Sequence, residues 1–89
     1  MSEIAPETFD RITMFGATWC SDCNRAKVVL DTSGVEWDFI DVDAIEGAAP
    51  RAEAISGRKS IPVIVFPDGT HQVEPSNVEL GLKIESLRA

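Results

Sequence analysis

"RITMFGATWCSDCNRAK", residues 11–27, changes its periodicity at Cys20 and Cys23, the two cysteines of the chain. From Arg11 to about Ala17 the run is rich in β-branched, aromatic and other apolar residues and reads as a strand. From Ser21 to Ser33 the residues Ala26, Val29, Leu30 and Ser33 recur at helical spacing, and Gly34 supplies a left-handed stop. Cys20 is therefore expected at a strand's carboxyl end and a helix's N-terminus at once. Unpaired backbone N–H groups and the positive end of the helix dipole meet there, a setting that favours a thiolate. Cys23, one turn further in, faces the same side, is more enclosed and should keep its proton longer.

The punctuation of the remaining chain gives five more elements. "VEWDFIDVD", residues 35–43, reads as a strand covered on both sides, with Trp37 and Phe39 on one face and Ile40 and Val42 filling the other; Trp37 is expected in the core. Ala48 to Ser56 is alanine-rich, has Pro50 in its first turn and stops at Gly57, which predicts a short helix. "IPVIVFPDGTHQVE", residues 61–74, predicts a hairpin turning at Asp68-Gly69. Ser76 stands three residues before Glu79, the spacing of a capping box, and Leu80, Ile84 and Leu87 line one face of a last helix. Strands joined through a helix tend to run parallel, whereas the tight turn demands an antiparallel pair. The expected architecture is an α/β domain over residues 1–89, order β-α-β-α-β-β-α, with a four-stranded mixed sheet flanked by three helices. Residues 1–9 are expected to be a flexible or loosely attached N-terminus.

Composition removes several classes of function. With 44% hydrophobic residues and a formal charge of −7, the chain reads as a folded soluble protein whose field repels nucleic acid and anionic membranes. "MSEIAPETFD" lacks the basic start and apolar run of a signal peptide, and no stretch approaches the ~20 apolar residues of a membrane span, so the expected location is cytoplasmic. In a reducing compartment the cysteines are not expected as a structural staple, and bridging residues so close would constrain little of the unfolded chain. Structural zinc wants four N or S ligands, and only His71 could join the two thiols, so no metal ligand set is assigned. A metal or iron-sulfur carrier, using Cys20 from two chains, stays open as a function of another class, and so do two inert buried thiols. A redox pair accounts best for Trp-Cys-x-x-Cys at a strand-to-helix junction.

"TWCSDCNRAK", "SIPVIVFPDGT" and the element order together resemble the glutaredoxin family, which has a thioredoxin-like fold, from about Arg11 to the C-terminus. Trp19, the "FPDGT" hairpin and "EPSN" at residues 74–77 are similar to its mycoredoxin branch. The resemblance implies a cytoplasmic thiol-disulfide oxidoreductase without a bound cofactor. It would reduce mixed disulfides between proteins and a low-molecular-weight thiol, with mycothiol, or glutathione, as reducing co-substrate. Thiolated or disulfide-containing proteins would be its other partners. Cys20 matches the attacking cysteine and Cys23 the second one, which closes an intramolecular disulfide with protein substrates. Pro62, after Ile61, matches a cis-proline beside the active cysteine, where the backbone of Ile61 would pair with the thiol's peptide portion; a trans proline opening an edge strand fits the local sequence equally. A related reading keeps the chemistry but changes the electron source, to a thioredoxin-like donor reduced by a flavin-dependent reductase.

Two departures from the family pattern bear on specificity. "VEPSN" stands where glutathione-binding members have Gly-Gly followed shortly by Asp. Ser76 and Asn77 there would bind a carboxylate or sugar hydroxyl, in addition to the capping role of Ser76. Ser21-Asp22 stands where Pro-Tyr or Gly-Tyr is commoner, and Asp22 sets a negative charge beside the nucleophile, tuning it against the helix dipole. Arg25, Lys27, Arg58 and Lys59 are candidates to offset that charge. Lys27 is read as an ordinary surface charge and Arg58 as the better ligand candidate. Trp19 either packs under the cysteine loop or offers a flat apolar platform to a partner.

Overall fold

The computed structural model describes residues 8–88. β1 (Ile12–Gly16) is buried along its whole length, because it lies inside the sheet and is covered on both faces. Ile12 and Met14 point to a core shared with Ala26, Leu30, Leu80 and Ile84, while Phe15 points to the other side with Ala52, Val63 and Val65. Three helices follow from this division. α1 (Ser21–Thr32) and α3 (Asn77–Arg88) cover the first face, and α2 (Ala48–Ser56) covers the second. Phe15, Leu30 and Phe66 have no exposed surface. Burying side chains of this size stabilises the fold by roughly 1.5–3 kcal/mol each.

The sheet order is β2-β1-β3-β4, with β2 at Trp37–Asp41, β3 at Val63–Val65 and β4 at His71–Val73. β2 runs parallel to β1, with Ile12 opposite Trp37 and Gly16 opposite Asp41. β3 runs antiparallel to β1, with Phe15 opposite Val63, and β4 antiparallel to β3. The parallel expectation for strands joined by a helix thus holds for β1 and β2 and fails at β3. The reason lies in the connection through α2, which leaves β2 beside Gly16 and re-enters the sheet beside Phe15. It starts and finishes at one end of the sheet, the end where the cysteines lie.

β2 is an edge strand, so its cover is incomplete: Trp37 and Phe39 pack against the α1 and α3 layer yet stay half-buried, and Trp37 is not a core residue. Its indole Nε1 donates to Asp31 Oδ1 at 2.9 Å. β3 is shorter than the apolar run that predicts it. The Ile61-Pro62 peptide is cis and precedes the ladder, and Phe66 already belongs to the turn, where its N–H donates to Thr70 O and its carbonyl accepts from Gly69 N, both at 2.9 Å. Gly69 has φ of 90°, a value that a side chain would disfavour. α1 ends at Thr32, with Ser33 as its cap and Gly34 at φ 77° after it. Of the N-terminal residues expected to be loosely attached, 1–7 lie outside the described residues; the Phe9 ring meets Phe15 edge-on, centroids 6.1 Å apart. Among the described residues no helix is long and apolar enough to cross a membrane.

Candidate active site

Three segments converge at the carboxyl end of β1: the loop of residues 17–20, the exit of β2 into Asp43, and residues 57–62 ahead of β3. Cys20 caps α1. Its backbone is extended, with φ of −85° and ψ of 117°, and its Sγ accepts a hydrogen bond from Cys23 N at 3.2 Å. The sulfur therefore does what a Ser or Asp oxygen does at most helix starts, and a backbone donor is aimed at the atom that would carry thiolate charge. Asn24 Nδ2 ties the loop down by donating to Thr18 O at 3.1 Å, and Asn24 N donates to Cys20 O at 3.0 Å. Both cysteines are free thiols.

The two thiols differ in environment. Cys20 keeps 8% of its surface exposed and Cys23 none. Burial pushes the Cys23 thiol up from 9.0 to about 12, and its hydrogen bond to the Cys20 side chain and the Cys20 charge push the same way. The Ala17 backbone N–H and the Lys27 ammonium oppose that shift. Lys27 is consequently not a plain surface charge: it is half-buried, with Nζ 4.0 Å from the centre of the Phe39 ring. Asp22 does not face the site as a bare charge either, since Arg25 Nη2 lies 3.3 Å from its Oδ1 and also donates to Pro75 O at 3.4 Å.

Trp19 does not pack under the loop. It is 71% exposed, and its Nε1 donates to Asp43 Oδ2 at 2.6 Å. Held in this way, the indole forms one wall of a cavity of about 210 Å³, with Val42, Ala52 and Ile61 among the apolar lining and Glu53, Arg58 and Lys59 as the charged residues of that lining. Ile61 also packs against the core group that includes Cys20 and Cys23. Arg58 is exposed and pairs with Glu74, Nη2 to Oε1 at 3.7 Å. Glu74 N in turn donates to Pro62 O at 2.9 Å, joining the start of β3 to the chain leaving β4.

Ser76 and Asn77 do not line this cavity. Ser76 closes a reciprocal capping box, with Glu79 N donating to Ser76 Oγ at 3.1 Å and Ser76 N to Glu79 Oε1 at 2.8 Å. Just before it, Glu74 has φ of 49°. This is a left-handed backbone shape of the kind that glycine adopts without penalty. His71 is exposed at the start of β4, and among the described residues no three His, Cys, Asp or Glu side chains gather as a metal-binding group. Asp43 is a site residue that sequence reading misses, absorbed into an acidic loop. The parallel register of β1 and β2 is the signal that would have placed it beside Trp19.

A thiol pair at the end of a mixed sheet of this order defines a class, the thiol-disulfide oxidoreductases of thioredoxin-like fold. The family model described as Glutaredoxin matches residues 12–72, and the chain belongs to the glutaredoxin family. It is 35% identical over 77 residues to mycoredoxin 1 of Corynebacterium glutamicum, an alignment covering 85% of this chain and 95% of that protein. The crystal structure of a glutaredoxin from Archaeoglobus fulgidus superposes with a TM-score of 0.72 at 27% identity, covering 89% of this chain and 86% of the other. The solution structure of a glutaredoxin from Brucella melitensis gives 0.66 at 25%, covering 93% and 92%. The protein is thus an oxidoreductase of glutaredoxin type. Its family acts with low-molecular-weight thiols and protein disulfides and needs no bound cofactor.

Proposed function

We propose that the protein works in the cytoplasm, reducing mixed disulfides between proteins and a small thiol, with mycothiol as that thiol. The observation that carries this reading is the asymmetry of the pair: Cys20 Sγ sits on the helix N-terminus under a backbone donor, while Cys23 is fully buried and holds its proton. Cys20 thiolate attacks the small-thiol sulfur of a mixed disulfide, and the electron pair of the broken S–S bond leaves on the protein's sulfur. A second small thiol then reduces Cys20. Cys23 is the alternative resolver. Part of its raised pKa comes from Cys20 and vanishes once Cys20 is in a disulfide, but the burial part stays, which slows Cys23 and favours the small thiol as reductant.

Mycothiol is favoured over glutathione on three grounds. Tethered Trp19 offers an apolar face suited to a sugar ring, on the wall of the cavity that Val42 and Ile61 also line. "VEPSN" stands in place of the Gly-Gly and Asp of glutathione binders. The chain is similar to a mycoredoxin over most of its length. Ile61 and Pro62 would receive the backbone of the thiol, with Ser76 and Asn77 as further polar contacts and Asp22, paired to Arg25, as the tuning charge. Matched assays on one model protein carrying either thiol test the choice. The expected result is a kcat/KM at least about tenfold higher for the mycothiol adduct, or about 1.4 kcal/mol in transition-state binding. Equal rates, or a preference for glutathione, would assign the co-substrate differently.

A further inference from the structure

Gly16 closes β1 with a bare Cα at the point where Cys23 leans on the strand. A Cβ there would lie 2.8 Å from Cys23 Sγ, 3.3 Å from Cys23 Cβ and 3.3 Å from Phe39 Cε1. Nonbonded atoms of this kind rest about 3.5–4 Å apart, so a side chain at position 16 and the sulfur cannot both keep their places. The other five glycines meet nothing within 4 Å of such a Cβ. Gly16 is thus the glycine whose lack of a side chain is demanded by close approach. The peptide it belongs to is fixed, because Gly16 O accepts from Val42 N at 2.9 Å. Cys23 Sγ rests between this Cα, the Ala17 N–H and the Cys20 side chain.

We propose that Gly16 is the positioning residue of the resolving step, its bare Cα setting where Cys23 Sγ sits and therefore how fast Cys23 attacks Cys20 in a mixed disulfide. The proposal rests on the assignment of Cys20 as attacker and Cys23 as resolver. In that step Cys23 gives up its proton and its thiolate attacks Cys20 Sγ. The Cys20–Cys23 bond forms, the bond from Cys20 to the small thiol breaks, and the electron pair leaves on the small thiol's sulfur, which takes up a proton. The Cys23 sulfur is oxidised and the small-thiol sulfur reduced, with no further reagent. Attack runs along the S–S axis, so a displacement near 1 Å is felt strongly. In Gly16→Ala the largest displacement falls on Sγ, the nearest atom and the free end of a short side chain, while Cys23 Cβ and the edge of the Phe39 ring give by a few tenths of an ångström.

Four proteins test this: wild type, Gly16→Ala, Cys23→Ala and the double variant. Each is loaded on Cys20 with oxidised glutathione as probe, and closure is followed by mass spectrometry as loss of the adduct after acid quench. Gly16→Ala is expected to close about ten- to a hundredfold more slowly than wild type. Alkylation of Cys20 by iodoacetamide, compared between Cys23→Ala and the double variant, is expected to agree within about twofold, because Gly16 acts on Cys20 only through Cys23. Closure of Gly16→Ala at the wild-type rate overturns the proposal, and so does alkylation slowed as much as closure. Wild-type protein that loads but never closes removes the resolving role of Cys23, and this proposal with it. Should Gly16→Ala fail to fold, the double variant decides: folding restored by removal of the sulfur supports the proposal, and equal instability overturns it.

Discussion

At the residue scale, the proton on Cys23 is part of the stability of the reduced protein. Its folded pKa is raised to about 12 from an ordinary 9.0, so between those values the folded state holds a proton that the unfolded state has lost. Stability from this group is complete below about pH 9 and declines as pH rises toward 12. Urea unfolding of reduced wild type and Cys23→Ala should therefore diverge least at high pH: the advantage of the wild type at pH 8 shrinks by pH 11. A constant gap would mean that the thiol is not held protonated. Trp19 and Asp43 make a second residue-scale case. Asp43→Ala frees the indole, and ordering one side chain is worth roughly 0.5–1.5 kcal/mol, so KM for the small-thiol adduct should rise roughly two- to tenfold with kcat little changed. An unchanged KM would remove Trp19 from the binding surface.

At this scale the sequence is legible where the relation is local. Cys20, Cys23 and the Ser76–Glu79 cap are read from spacings of three residues, and all three adopt the expected placement. Lys27 over Phe39, Trp19 on Asp43 and Gly16 under Cys23 escape such reading. Each depends on how β1, β2 and α1 are set against one another, which no local period records.

At the element scale, α3 is held at its start and at its middle. Ser76→Ala removes the acceptor for Glu79 N and should cost about 1 kcal/mol, or about 4–8 °C in Tm for a chain this short, with Ser76→Asp restoring most of it. A Tm unchanged in Ser76→Ala would show that water caps the helix equally well. In the middle, Lys83 Nζ donates to Asp68 Oδ2 at 2.6 Å, tying α3 to the β3–β4 turn, and Thr70 donates to Oδ1 through its hydroxyl at 2.7 Å and its N–H at 3.0 Å. Lys83, then Thr70, hold the Asp68 carboxyl well below the usual carboxylate range. A lowered folded pKa stabilises above the unfolded value and is lost as pH falls. Asp68→Asn should be less stable than wild type at pH 7, and urea midpoints of the two should converge as pH drops below about 4. Midpoints that stay equally spaced would contradict the pairing. The elements themselves are legible because each carries its own stop signal. Their edges shift where tertiary pairing decides, as in β3, cut to three residues between the cis Ile61-Pro62 peptide and the turn at Phe66.

At the scale of the whole molecule, sheet order does what the sequence does not announce. Placing β1 between β2 and β3 and returning the 42–62 connection to its starting end brings Cys20, Asp43 and Ile61 to one end of the sheet. A mixed sheet is predictable from the tight turn at Asp68-Gly69, but the antiparallel entry of β3 is not, since a helix between strands usually signals a parallel return. The exposure of β2 follows from the same order, an edge position that an apolar run cannot report. At this end of the sheet Cys20 attacks and a second small thiol resolves it, with Cys23 as the alternative resolver, and paired variants assayed on a small-thiol mixed disulfide measure that division directly. Cys20→Ser should lose turnover altogether, whereas Cys23→Ser should keep it, because a second small thiol resolves Cys20 without an internal partner. Equal loss in both variants would make the Cys20–Cys23 disulfide obligatory and contradict the account.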